Sequence, residues 1–212
     1  MNSRPQSFFE EVANSVSHGL GLLAAMAAAP IAIIFAVQRG NTSGIVGASV
    51  FVGTMILLYL TSCLYHALPE GWAKRLWGKL DHSAIYLFIA GSYTPFALGV
   101  LHGAWGWTLF GLVWAMAVTG VLLKAFDRLS HPLLSTGLYL LMGWLVLIAA
   151  VPLLEKVSGA GIAWLVAGGL AYTVGVVFFL TDARLRFGHF IWHLFVMAGS
   201  TCHFFAVLWY SA

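Results

Sequence analysis

Charge is what this sequence has least of. Of 212 residues, ten are Lys or Arg and seven are Asp or Glu, 8% in all, where a soluble domain carries about 25% to cover its surface. That scarcity excludes a water-facing shell, and with it a soluble globular protein. The net charge of +3 is small and scattered, which excludes nucleic acid as a partner. Cysteine is scarce as well. Cys63 and Cys202 fall in opposite halves of the expected bilayer, so no disulfide is expected and each reads as a small buried residue. There is no internal repeat or low-complexity segment on which to build an array. What the chain has in excess is apolar surface: 61% of its residues are hydrophobic. Such a chain is solvated by lipid, and membrane lipids are its expected partners.

The few charges bracket the fold. Stretches free of Asp, Glu, Lys and Arg run over 12–38, 40–69, 82–123, 129–154, 157–181 and 187–212. About 20 apolar residues cross a hydrocarbon core as a helix. Five stretches therefore fit one crossing, and 82–123 fits two. Its break lies at 99–106, where three glycines with Trp105 and Trp107 mark an interfacial turn. The expectation is an all-α integral membrane protein with seven transmembrane helices, near 16–38, 44–67, 81–101, 105–124, 132–153, 160–181 and 188–210. Continuous apolarity, without alternation, argues against a barrel. Pro30 and Pro95 fall inside spans, where neighbouring helices tolerate a kink.

Short loops leave room for one seven-helix domain over 16–212, preceded by a short cytoplasmic tail over 1–15. The tail carries Glu10 and Glu11 and has no apolar core, so it is not read as a cleavable signal peptide. Arg4, Lys74, Arg75, Lys79, Lys124, Arg128, Arg184 and Arg186 gather on one face, against Arg39 and Lys156 on the other. The positive-inside rule then predicts a cytoplasmic N-terminus and an extracytoplasmic C-terminus. Trp72 and Trp77 on the inner side, with Trp105, Trp107, Trp164 and Trp209 on the outer side, read as aromatic belts.

Histidine breaks the apolar monotony. Of eight, His18, His66, His82, His131, His189 and His193 fall at or near the same ends of their spans. His189 and His193 are four residues apart, on one helix face and about 6 Å from each other, a common arrangement for two imidazoles sharing a metal. His66 closes the second span at the same depth, with Ser62 one turn before it, and Asp81 opens the third. Three neutral imidazoles around Zn²⁺ leave a fourth position for water, and a nearby carboxylate can orient that water and assist its deprotonation. Asp81 is the one acidic residue at the head of a span. A lone interfacial histidine is ordinarily an anchor, and His82, His131 and His102 are read that way. His203 lies ten residues beyond His193, about 15 Å deeper, and cannot share the metal. It is either a functional group or a hydrogen-bonded packing residue.

These residues also carry a resemblance. Glu11-x-x-Asn14-x-x-Ser17-His18, Ser62-Cys-Leu-Tyr-His66, Lys79-Leu-Asp81-His82-Ser83 and His189-x-x-x-His193 resemble the hemolysin III family. That family is the bacterial branch of the progestin and adipoQ receptor group, which includes the adiponectin receptors and is distantly similar to the alkaline ceramidases. The resemblance covers the chain from about residue 10 to 210. It implies a multi-pass protein of the bacterial plasma (inner) membrane. It further implies His66, His189 and His193 as zinc ligands, Asp81 as holder of the metal's water, and Ser62 as a supporting or transition-state-stabilising group. Glu11, Asn14, Ser17 and His18 match the family's opening motif, read as packing and polar bonding near the site.

Three function classes follow. One is a zinc-dependent intramembrane hydrolase of a lipid amide or ester at the cytoplasmic side. The second is a non-enzymatic lipid sensor or receptor-like protein, in which the metal ties two spans together. The third, suggested by the family's name, is a cytolysin. A pore-forming toxin must be soluble before it inserts, and this composition offers no soluble form. The open coordination position favours the hydrolase over the sensor.

Overall fold

The structure, a computed structural model, describes residues 4–40, 42–129 and 131–211, and among them there is helix and no strand. Seven helices are long and apolar enough to cross a membrane. They are α1 (Phe8–Gln38), α2 (Thr42–Ala67), α3 (Trp72–Leu101), α4 (Gly103–Ala125), α5 (Pro132–Lys156), α6 (Gly159–Thr181) and α7 (Gly188–Tyr210). The break expected near 99–106 falls at His102 and Gly103, both at positive φ. Before it, the last turn of α3, Ala97–Leu101, is wound as π-helix just past Pro95, where the proline ring removes a regular backbone hydrogen bond.

α1 begins at Phe8 rather than near 16, and α3 at Trp72 rather than near 81. Hydropathy marks where a helix meets hydrocarbon; it does not mark where the backbone starts to coil. Ser7-Phe-Phe-Glu10 starts α1, with the Glu10 carboxylate accepting from the Ser7 backbone N–H at 2.9 Å and from its hydroxyl at 2.7 Å. Three of the charges in these extra turns, Glu10, Glu11 and Lys74, are held in pairs. Arg4 forks onto Glu10 at 2.8 and 2.6 Å, which holds the Arg4 guanidinium above its ordinary pKa. Lys74 reaches Glu11 at 2.8 Å.

α5 is α-helical over Pro132–Gly143 and Ala150–Lys156, with a 3₁₀ stretch Leu145–Ala149 between them. A break inside a membrane frees backbone groups that water cannot reach. The Tyr93 hydroxyl from α3 fills this one: it accepts Val146 N–H at 2.9 Å and lies 2.8 and 2.7 Å from the carbonyls of Met142 and Gly143.

α1 packs on α2, α2 on α3, α3 on α4 and α6 on α7, and α7 returns against α1. α2 and α3 are the most buried of the seven. Their Phe51, Met55, Leu58, Tyr59, Tyr86 and Phe88 form the centre of the apolar core. Gly47 lets α2 lie against the backbone of Pro95, since a Cβ there would come within 2.6 Å of the proline Cα. Large apolar side chains such as Leu23, Ile34, Leu147 and Leu154 face outward, as lipid-solvated helices require. α5 touches α3, α4 and α6 only sparsely, and an open cavity lies among α2, α3, α5, α6 and α7.

The polar residues are concentrated at one end of the bundle, where α1 begins. Glu10, Asn14, Ser17, His18, Ser62, His66, Lys74, Asp81 and His193 are all buried. The opposite end is held by Arg39 on the Trp209 carbonyl at 3.4 Å, Lys156 on the Leu101 carbonyl at 3.3 Å and Val100 N–H on the Ser211 carbonyl at 3.3 Å.

Candidate metal centre

The antiparallel path of the helices brings the end of α2 beside the start of α7. His66 comes from the last turn of α2; His189 and His193 come from the first two turns of α7. Their ring centroids are 5.0 Å apart for His66 and His189, 5.1 Å for His66 and His193, and 4.8 Å for His189 and His193. One nitrogen from each lies within 4.8 Å of the others, and among the described residues this is a group that could hold a metal ion.

The other nitrogen of each ring is already engaged. His66 Nδ1 meets Glu11 Oε2 at 2.6 Å. His189 Nδ1 meets Asp182 Oδ2 at 2.9 Å. His193 Nδ1 lies 3.0 Å from Ser17 Oγ and 3.2 Å from the Asn14 carbonyl. Ser17 places its own hydroxyl proton on that carbonyl at 2.8 Å, so the shared proton with His193 belongs to the imidazole. Every one of these outer partners is an acceptor, which puts the proton on Nδ1 and leaves the Nε2 lone pair free on all three rings. His66 Nε2 is buried and has no partner in the protein. A carboxylate or carbonyl behind each imidazole is the usual means of fixing a metal ligand's tautomer and aim.

Glu11 serves two groups at once, since Lys74 Nζ sits 2.8 Å from its second oxygen and also reaches the Leu68 carbonyl at 3.2 Å. Two further contacts hold the start of α7 in place. The Glu10 carboxylate accepts the Phe187 backbone N–H at 2.9 Å. Phe187 itself takes a left-handed conformation, φ 58°, the turn that lets α7 start there.

Asp81 and Ser62 line the cavity beside His189 and His193. Asp81 is 8% exposed and has no hydrogen-bond or ion-pair partner among the described residues. A carboxylate so placed needs a donor or a cation from outside the chain. His18 lines the same cavity and stacks on His193, centroids 3.5 Å apart at 7°, with the edge of Tyr59 against it. Neither His18 nitrogen has a partner.

The anchoring histidines stay apart from the cluster. His82 Nδ1–H donates to the Gly78 carbonyl at 2.6 Å, one turn back on its own helix, though the ring also borders the cavity. His102 bonds the Gly99 carbonyl at the opposite end, and His131 is exposed at the start of α5. Cys63 and Cys202 are free thiols.

The sequence alone does not give Asp182 or Glu10 a place in this arrangement. Asp182 reads there as the charge that ends a span. A usable signal existed, since Asp182 and His189 flank a short turn and a ligand histidine at a helix start needs an acceptor behind it. Glu10 could have been found from the Ser7-x-x-Glu10 capping pattern.

Comparison with known proteins bears on the whole chain. A family profile described as Haemolysin-III related matches residues 6–204. Hemolysin-3 of Bacillus cereus is 44% identical over 210 residues, covering 99% of this chain and 95% of that protein. The Hemolysin-3 homolog of Bacillus subtilis (strain 168) is 45% identical over 201 residues, covering 95% and 94%. The Adiponectin receptor protein of Drosophila melanogaster is 24% identical over 194 residues, 76% of this chain and 40% of that protein.

Proposed function

Because the chain belongs to the haemolysin-III-related family and is a seven-helix protein of the plasma membrane, we propose that it is a zinc-dependent intramembrane hydrolase. Its substrate is a lipid amide or ester. The observation that carries this reading is the outward commitment of three Nδ1–H groups, which leaves three Nε2 lone pairs converging beside an unpartnered Asp81.

The donor set fits zinc. Three neutral imidazoles form a common catalytic zinc set, and their number leaves one position open. Zn–N bonds of about 2.0–2.1 Å bring neighbouring nitrogens roughly 3.4 Å apart, so rotation of the three rings draws the cluster in. Bound there, the ion supplies Lewis acidity to a substrate carbonyl. The chain's own groups do the rest. Asp81 takes the proton of the attacking water and returns it to the amine or alcohol that leaves as the acyl bond breaks, since a free carboxylate at the cavity wall is a positioned base. Ser62, one turn before His66, donates a hydrogen bond to the carbonyl oxygen as negative charge develops there. The cavity accepts the acyl chain, with Phe88, Ile89 and Val196 among its apolar walls, and keeps bulk water from the reacting bond. Eight of the ten Lys and Arg residues fall at this end of the bundle, which supports a cytoplasmic position for the site.

The test is a lipidomic comparison of membranes carrying wild type or Asp81→Asn, alongside turnover of a lipid amide and a lipid ester by purified protein. Asp81→Asn should keep its metal and lose turnover by a factor of at least 100. If no lipid changes between the two and neither substrate is cleaved, the hydrolase reading falls. The same three rings would then stand as a tie between α2 and α7 in a sensor.

A further inference from the structure

The cations at the end of the bundle where α1 begins are not spread evenly. Lys74, Arg75, Lys79 and Lys124 line one open pocket of about 350 Å³, which none of the three ligand rings borders. One wall is a face of α3, on which Arg75 and Lys79, like Lys74 and Gly78, stand one turn apart. The other is the last turn of α4 with the loop after it. Between the walls α3 closes on the Tyr65 ring of α2, because a Cβ on Gly78 would come within 2.9 Å of it. The pocket thus lies where α2 and α4 end, at the depth of lipid headgroups.

Two of the four cations are already answered. Lys74 Nζ lies 2.8 Å from Glu11, and Lys79 Nζ lies 2.6 Å from Asp127. The remaining acid on the lining, Glu70, stands 3.9 Å from Lys74 with its side chain 88% exposed, out in water. Arg75 and the half-buried Lys124 have no side-chain hydrogen bond or ion pair among the described residues. Arg75 is one turn before Lys79 on α3, and Lys124 is three residues before Asp127, so the Lys79–Asp127 bridge draws together the segments that carry both. Two unanswered cations in one pocket match a phosphate monoester, which carries about −1.5 to −2 near neutral pH. An apolar groove begins next door. It follows α4 from Leu123, the neighbour of Lys124, through Gly120 and Thr119 to Met116, with Leu138 and Met142 of α5 opposite. Seven residues of helix make it about 10 Å long.

We infer that this pocket binds a phosphate monoester carried by a membrane phospholipid. The phosphate lies between Arg75 and Lys124, and an acyl chain follows the groove between α4 and α5. Basic pockets between helix ends are ordinary seats for anionic headgroups. The groove decides between the two carriers of such a phosphate, because a free ion would leave it empty. The bound lipid is separate from the chemistry at the rings, and its retention does not depend on a metal there.

The probe is dioleoyl phosphatidate added to the purified full chain, with bound lipid counted by native mass spectrometry. Dioleoyl phosphatidylglycerol, a phosphodiester with the same chains, is the comparison. Phosphatidate should bind about tenfold more tightly, the gain expected of one further charge-assisted hydrogen bond. Arg75→Gln and Lys124→Gln should each weaken phosphatidate about tenfold, while Lys124→Arg, which keeps the charge, should stay within about threefold. Arg184 is exposed at the same end of the bundle and outside the pocket, so Arg184→Gln should stay within about twofold. Attraction by surface charge alone is worth about fivefold for every cation. Equal losses in the Arg75, Lys124 and Arg184 variants, or equal binding of the two lipids, therefore overturn the inference. Thr119→Trp fills the groove without touching a charge and should weaken phosphatidate about fivefold, near the loss of one to two buried methylenes. Inorganic phosphate at the concentration of the lipid should leave the lipid in place. Displacement by it, or full binding in a folded Thr119→Trp protein, removes the phospholipid as carrier and overturns the inference as well.

Discussion

Glu11 lies one turn inside α1 and supplies no atom to the ring cluster, yet its loss should weaken metal binding there. Its two oxygens are divided between His66 Nδ1 at 2.6 Å and Lys74 Nζ at 2.8 Å. Glu11→Ala therefore does two separable things. It frees the His66 ring to rotate or change tautomer, and loss of such an outer partner costs about 10–100-fold in metal affinity, or roughly 1.4–2.8 kcal/mol. It also strips the Lys74 ammonium, 8% exposed, of its close partner, leaving the Leu68 carbonyl and Glu70 at 3.9 Å with its side chain 88% exposed. Breaking a fully buried pair costs about 3–5 kcal/mol. Glu11 is 20% exposed and Glu70 can swing in, so about 1–3 kcal/mol is expected here. Adding Lys74→Met removes the orphaned cation, and should restore stability without restoring the metal. The assay is zinc affinity by chelator competition on detergent-purified protein, with thermal unfolding of the same samples. Zinc affinity within twofold of wild type in a folded Glu11→Ala protein would refute the reasoning.

Two further outcomes are expected. Elemental analysis should find about one zinc per wild-type chain, and His189→Ala or His193→Ala should reduce it to background; full zinc in either variant would remove the ligand assignment. A compartment-sensitive reporter fused after Tyr210 should report a non-cytoplasmic C-terminus, and activity on the cytoplasmic side would reverse the orientation of the site.

The number and order of the spans were legible because lipid leaves a simple mark: a helix it solvates carries no charge over about 20 residues. The starts of α1 and α3 were not, because Glu10, Glu11 and Lys74 look like the end of the membrane while lying inside continuing helices. Their pairing with Arg4, with His66 and with one another cancels the signal that hydropathy reads. The ring cluster was legible from spacing within α7 and from the shared depth of His66. Its outer partners were only partly so. Glu11 and His66 are 55 residues apart and Ser17 and His193 are 176 apart, and neither pair has a local pattern. His18 was visible as a polar residue at the right depth, but its stacking on His193 depends on how α1 meets α7.

That meeting has a consequence for the order of events in synthesis. α1 leaves the ribosome well before α7, and two of the three rings take their proton acceptors from α1, at Glu11 and at Asn14 with Ser17. A nascent chain that stops before α7 cannot present a finished cluster, because His189 and His193 are absent from it. On the zinc reading, metal uptake would wait for α7, and a loaded molecule would certify that α1 and α7 have found each other. Truncated or misinserted copies would stay metal-free, and a cell could distinguish them on that ground alone.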